Sequence, residues 1–479
     1  MPRLSRTAPF VLVALIATTH AAPQSQPPRA DTPRADAASA TVQHPFGTLR
    51  EQAAMQQEWL RKRLDTFLPA LIRKHGIDLW LVPMREYNED PVFSAIVAPD
   101  TFAARRRTIY VFFDKCAAAG TAPSASCVER IALGGTSQGG VFEARRSMRA
   151  AASNVGRGQQ AELWGDEQWV ALKTVVDERN PRTIGINRST VFAFSDGLSS
   201  GELQGMTGAL GEKWTSRLRD AEGLPLDLVA VRLPEEEVFF RRMQELVWSL
   251  TQTMFSSAVV SPGKTHTSDL VWWWRQRVND LGLGTWFQPS VDVQRNSVTA
   301  EQLGDDPVIQ AGDVLHCDVG ITVARLNTDT QHLAYVLRPG EGDAPDGLRR
   351  ALTNANALQD IVMGEIRPGR TGNDILGASR GRMQAKGIDG SVYSHPIGLH
   401  GHGAGPLIGL WDYQDGVVGR GEAKVIPSMW WSIELQATTP VPEWNNQAVR
   451  MAQEEDAIIG ADGKIRWALG RQDKLFLIR

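Results

Sequence analysis

Apolar positions in this chain change period several times, and each change predicts an element. A stretch of helical period at 64–75 gives way to short apolar runs: Leu79-Trp80-Leu81-Val82, Thr108-Ile109-Tyr110-Val111-Phe112-Phe113, Ile131-Ala132-Leu133 and Thr183-Ile184-Gly185-Ile186. Helices alternating with buried strands predict an α/β layer over residues 46–232. Val231-Arg232-Leu233-Pro234 followed by Glu235-Glu236-Glu237 reads as a boundary and a helix start. Long helices follow near 235–260 and 348–365. Between them, Val314-Leu315-His316-Cys317-Asp318-Val319-Gly320-Ile321 and Asp329-Thr330-Gln331-His332-Leu333-Ala334-Tyr335-Val336-Leu337 read as two strands. A turn at Leu326-Asn327-Thr328 would pair them antiparallel.

An internal repeat runs through the second half. Pro262-Gly263-Lys264-Thr265, then Asp269-Leu270 and Gly282, recurs as Pro368-Gly369-Arg370-Thr371, Asp374-Ile375 and Gly387. Each copy reads as a turn, a helix and a stopping glycine. The Trp272-Trp273-Trp274 run lies on the first of these helices, packed on the sheet and on a neighbouring chain.

The apolar strands also carry acids. Asp318 and Asp329 interrupt two of them, and Glu434 and Glu454 lie in later apolar segments, with His395 between the pairs. A carboxylate among apolar residues is costly to bury unless it is paired or bound to a metal. One such acid could simply end a strand or close an ion pair, but four in this order, with an imidazole, form a ligand set. Such ligands suit manganese, zinc, cobalt or iron, and bridging carboxylates would hold two ions roughly 3.5 Å apart.

These residues carry a resemblance. His395-Pro396-Ile397-Gly398-Leu399-His400-Gly401-His402-Gly403-Ala404-Gly405-Pro406 is similar to the HGIGLxxHExP signature of the pita-bread metallopeptidases, which include methionine aminopeptidase, prolidase and aminopeptidase P. The aspartates stand eleven apart, and Ser432-Ile433-Glu434-Leu435 and Glu454-Glu455-Asp456-Ala457 resemble the family's two glutamate strands. The resemblance spans roughly 235–471 and implies a catalytic pita-bread domain at 233–479, whose pseudo-twofold layout suits the repeat. Gly76-Ile77-Asp78-Leu79-Trp80-Leu81-Val82 resembles the opening of a creatinase-type N-terminal domain, here 46–232. In relatives that domain helps form a dimer and covers the mouth of the site, so a homodimer is expected.

The resemblance also implies roles. The family pattern sets its ligand histidine three residues before a glycine and seven before a second histidine, as His395 stands to Gly398 and His402. The competing ligand, His402, would leave Gly409 where a histidine is expected. With His395 as ligand, His402 faces the substrate as a hydrogen-bond donor or proton shuttle, and His400 is a structural or rim residue that could touch substrate. Three departures stand out. The stretch 288–299 lacks the family's upstream histidine, which would alter substrate or leaving-group contacts. Gly403 and Gly405 replace the signature's glutamate and proline, which would loosen that loop. Arg450 lies four residues before Glu454, on the same strand face, and could support it.

The function implied is a metallopeptidase holding two divalent ions, manganese first among the candidates. It would remove the first residue of short peptides before proline, with Asp318, Asp329, His395, Glu434 and Glu454 as ligands and Glu434 also as proton acceptor. The alternatives are an Xaa-Pro dipeptidase and a metal-free or non-catalytic creatinase-like relative acting as a binding protein.

Composition bounds the rest. At 479 residues and 42% apolar, the chain has core enough for two domains. Arg3 and Arg6, the apolar run Phe10–Ala17 and the small-residue end Thr19-His20-Ala21 predict a signal peptide over 1–21. A Pro/Ala/Ser-rich linker is expected at 22–45, and the mature chain would be exported, periplasmic or secreted, with no membrane span. A net charge of −3 and no basic patch with interleaved aromatics argue against nucleic acid as a partner. In an exported chain Cys116 and Cys127, flanking a small-residue loop between two strands, are expected to form a disulfide, and Cys317 to remain a buried thiol.

Overall fold

The computed structural model describes residues 44–147 and 162–479, all within one compact unit. The expected signal peptide and all but the last two residues of the expected linker lie outside them.

Helix α1 (Leu49–Thr66) starts at Thr48, whose hydroxyl accepts from Glu51 N while the Glu51 carboxylate takes Thr48 N–H at 2.7 Å. The helix expected at 64–75 is the end of α1 plus a separate helix, Leu68–Lys74. The break has a covalent cause: Pro69 has no N–H to continue the ladder of α1. Strands β1 (Leu79–Met84), β2 (Thr108–Asp114), β3 (Val128–Leu133), β4 (Glu143–Arg145), β5 (Ile184–Ile186) and β6 (Leu218–Asp220) form a sheet ordered β4-β3-β2-β1-β5-β6. The disulfide is present between β2 and β3, with Cys116 and Cys127 Cα atoms 5.2 Å apart.

The second layer begins with α2 (Pro234–Met254) and α3 (Thr267–Asp280), and its counterpart is α4 (Asp346–Glu365) and α5 (Gly372–Ala385). The repeat is built twice in the same way. Gly263 and Gly369 take φ of +82° and +92° in the turns, and Asp269 and Asp374 turn back to accept from His266 N and Thr371 N. Both 14-residue helices stop before a left-handed glycine, Gly282 at φ +69° and Gly387 at +65°. On α3, Trp274 is fully buried while Trp272 is 64% exposed.

These helices frame a nine-stranded sheet. Its strands include β7 (Ser290–Gln294), β8 (Val314–Val319), β9 (Thr330–Val336), β10 (Asp389–Val392), β11 (His395–Ile397), β12 (Trp430–Val441) and β13 (Gln447–Ile459). The main path is β10-β12-β13-β9-β8-β7, and β11 pairs with β12. β8 and β9 are antiparallel as expected, but their turn is Ala324-Arg325 rather than 326–328. Both turn residues have positive φ, +51° and +67°, which matches a tight hairpin twist. The strain is offset by the Arg325 guanidinium, which donates to the carbonyls of Ser94, Val97 and Ala98 at 2.9–3.0 Å and ties the hairpin to the first layer.

β13 pairs along twelve positions with β12 but meets β9 at the single pair Gln331–Glu454. The Gln294 amide of β7 then bonds both N and O of Arg450 on β13. Strands β7, β8, β9 and β13 therefore close a ring of contacts. Behind it, Phe240 of α2 stacks on Trp430 of β12 with ring centroids 4.3 Å apart, and both rings are fully buried. Phe240→Ala should cost about 3–5 kcal/mol through lost burial and the cavity left behind. Denaturant unfolding checks this, and a loss under about 1 kcal/mol would mean the site collapses without cost.

Candidate metal centre

Strand register builds the site. Asp318 pairs with Gln331, Gln331 with Glu454, and Glu454 with Glu434, so four polar side chains line up across β8, β9, β13 and β12. Directly paired residues point to one face of a sheet, so this row projects into a common space. Asp329, two residues before Gln331, joins the same face. His395 enters from β11, opposite Ser432 of β12. Ligating atoms of Asp318, Asp329 and Glu454 lie within 4.8 Å of one another, as do those of His395, Glu434 and Glu454. All five expected ligands are thus in one place.

The three histidines differ in setting, although His402 as well as His395 brings a ring nitrogen within 4.8 Å of a ligating atom of Asp329. His395 Nδ1 lies 3.0 Å from Pro396 O, a contact that requires a hydrogen on Nδ1 and leaves a lone pair on Nε2. That Nε2 faces Glu454 at 3.3 Å, Asp329 at 3.7 Å and Glu434 at 3.8 Å. His402 stands edge-on to His395, ring centroids 4.7 Å apart, and against Trp286 at 5.1 Å. It is exposed to the cavity, and partial burial holds its pKa below the ordinary imidazole value. His400 is not at the cavity. It packs on Phe194 at 4.7 Å, and burial with the charge of Arg232 pushes its pKa down to about 4. That packing agrees with the structural part of its expected role, and His400 is not among the residues that line the cavity.

Two more expectations change. Arg450 lines the cavity, but its guanidinium bonds Gln436 Oε1 at 3.2 Å and not Glu454. Glu454 is held instead by the Ser432 hydroxyl and by Gln331 Nε2 at 2.9 Å. The loop at Gly403 is tight rather than loose: Gly403 N donates to Pro396 O at 2.6 Å, and a Cβ there would lie 2.6 Å from that oxygen. Cys317 lies on the opposite face of β8, free and fully buried.

Does this set fit a metal? Asp318 Oδ1, Asp329 Oδ1 and His395 Nε2 are buried and have no hydrogen-bond partner. Buried polar atoms are otherwise almost always satisfied. Burial first, and the nearby Glu454 charge second, raise the carboxyls of Asp318, Asp329 and Glu434 well above the ordinary carboxylate range. A site that lacks positive charge, with unpartnered atoms converging, fits hard divalent cations. The cavity in front, roughly 680 Å³, is lined by Asp318, His395, His402, Glu434, Tyr393 and Trp411 among others. It also takes in His316, Asp292 and Gln331, which sequence reasoning passed over. Their signal was parity: His316 lies two before Asp318, and Gln331 two after Asp329.

A raised carboxyl pKa in the folded chain means that protons bind more tightly folded than unfolded. That contribution is complete below the unfolded value of about 4 and is lost as pH rises through the folded values. Without metal, the melting temperature should therefore fall as pH is raised from about 5 to 8. Added divalent cation should stabilise most at the alkaline end and release protons on binding. Calorimetry in buffers of different ionisation enthalpy measures that release, and metal uptake without it would contradict the shared-proton picture.

The model of the family described as Metallopeptidase family M24 matches residues 241–461. A sequence search of curated proteins returned no match. Among solved structures, the X-Pro aminopeptidase of Thermotoga maritima MSB8 is similar with TM-score 0.54 and 15% identity, over 85% of this chain and 99% of its own. The Xaa-Pro dipeptidase of Bacillus anthracis gives 0.53 and 16%, over 89% and 99%. Zinc-substituted E. coli aminopeptidase P in complex with product gives 0.53 and 13%, over 89% and 97%. At these identities the likeness speaks for the shared fold.

Proposed function

We propose that this chain, whose residues 241–461 match the model of metallopeptidase family M24, is a dinuclear metal-dependent aminopeptidase that removes the first residue of short peptides before proline. The observation that carries this reading is the convergence of three unpartnered buried atoms, Asp318 Oδ1, Asp329 Oδ1 and His395 Nε2, with Glu434 and Glu454. Asp318, Asp329, His395, Glu434 and Glu454 would hold the ions, with manganese the first candidate and zinc, cobalt and iron accepted by the same ligands. When bound, the ions supply Lewis-acid polarisation of the scissile carbonyl and lower the pKa of water.

The chain's own groups do the rest. Glu434 Oε1 is held by Gln331 at 2.6 Å, which leaves Oε2 on the His395 side to accept the proton of the attacking water. His402 faces the same cavity, fit to donate a hydrogen bond to the scissile carbonyl oxygen, or to accept at its free ring nitrogen the proton that Glu434 takes from water and release it to the leaving amine. Leu407, Leu410 and Trp411 give the cavity an apolar wall against which a proline ring can pack. Arg450, which also lines the cavity, supports a second reading, an Xaa-Pro dipeptidase, because a cation there would hold the free carboxylate of a dipeptide. Residues 1–21, with their charged start and apolar run, support export to the periplasm or medium.

Metal analysis and a peptide screen test this together. About two ions per chain and cleavage of Xaa-Pro-Xaa over proline-free controls are expected, and no ion after manganese loading would refute it. Cleavage confined to Xaa-Pro dipeptides would select the second reading. His395→Ala should lose metal and activity together, whereas His402→Ala should keep its metal and lose about 10²-fold in kcat. Metal lost from His402→Ala and retained in His395→Ala would reverse the two roles.

A further inference from the structure

Behind the ligands lies a hydrogen-bond chain that neither the signature nor the ligand set requires. Gln331 Nε2 donates to Glu434 Oε1 at 2.6 Å and to Glu454 Oε2 at 2.9 Å. Both amide hydrogens are then committed to carboxyl oxygens, the assignment that lets the amide serve Glu434, Glu454 and His316 at once. Gln331 Oε1 can only accept, and it lies 2.9 Å from His316 Nε2, which must therefore carry a hydrogen. The other ring nitrogen, Nδ1, faces Asp292 Oδ2 at 3.4 Å across the β7–β8 pair Asp292–His316.

From this geometry, and resting on the metal centre assigned above, we infer that His316 and Gln331 form a positioning relay. His316 fixes the Gln331 amide, and the amide holds one oxygen of each glutamate, so that the other is turned toward the metal centre. The oxygens that Gln331 does not hold, Glu434 Oε2 and Glu454 Oε1, are those that face His395 at 3.8 and 3.3 Å, and Glu454 Oε1 also accepts from the Ser432 hydroxyl. The relay thus sets which oxygens face the centre, with Ser432 adding a second hold on Glu454. It also places a histidine in the cavity from β8, where the stretch 288–299 supplies none. Neither residue touches the reacting atoms in this scheme; both act through the glutamates.

The test is a double-mutant cycle read in metal affinity, which does not depend on turnover. Dissociation constants for Mn²⁺ and Zn²⁺ are measured on the full chain by competition with a chromophoric chelator, with circular dichroism of the metal-free variants as the folding control. Gln331→Ala should bind about 10–100-fold more weakly, as expected when a group orienting a ligand is removed. His316→Leu should lose most of the same factor, and the double variant should be no weaker than Gln331→Ala alone, because the two act in series. His316→Gln, which keeps a side-chain N–H donor, should recover most of the loss. If His316→Leu does not fold, Gln331→Ala and His316→Gln carry the test.

Wild-type affinity in Gln331→Ala, additive losses in the double variant, or no recovery in His316→Gln would each overturn the relay while leaving the metal centre standing. A wild type that takes up neither ion would overturn the centre and the relay with it.

Discussion

Four carboxylates and an imidazole share one buried space in the middle of a β-sheet, and the rest of the structure answers to their mutual repulsion. Each carboxylate taken from water loses solvation, and each neighbour of like sign adds to the cost. Burial and the Glu454 charge raise three of the carboxyls, so the chain must supply protons or accept cations before these groups can sit together. A fold that tolerates such a cluster couples its stability to what neutralises it.

Holding the cluster in place demands rigidity, and most of it comes from backbone register. The pairs Asp318–Gln331, Gln331–Glu454 and Glu454–Glu434 fix the row to the spacing of the strands, with little left to side-chain choice. The twelve-pair ladder of β12 and β13 and the Phe240–Trp430 stack keep that row from shifting. The side chains then finish what register begins. Ser432, Gln331 and the Pro396 carbonyl each orient a candidate ligand from behind, and such partners tune a metal site nearly as strongly as its ligands do.

Close packing extends the same constraint to the rim. Gly403 lies against the Pro396 carbonyl and Gly401 against the Trp286 ring, where any Cβ would collide. Those glycines bring the loop carrying His402 down onto the ligands instead of freeing it. Arg325 works at longer range, tying the β8–β9 hairpin to the first layer through three backbone carbonyls. The two layers are thereby coupled next to the site.

Much of this was legible in the chain. Strand period, the duplicated Pro-Gly turns and the expense of acids among apolar residues identified the elements and the four carboxylate candidates, because each is a local property, while the choice of His395 came from the resemblance to the pita-bread signature. The disulfide was equally local, set by two cysteines flanking one loop. Placement was not local. Which strands would be neighbours decided that Gln331, rather than Arg450, supports Glu454, and that His316 reaches the site from β8. The His400 side chain is turned to Phe194 by packing from a distant segment, and the true hairpin turn at Ala324-Arg325 takes positive φ values stabilised by contacts more than two hundred residues away in the chain. Composition and period alone determined which residues were costly to bury. Only the tertiary structure decided which of them share a space, because register and packing join segments that sequence separation keeps apart.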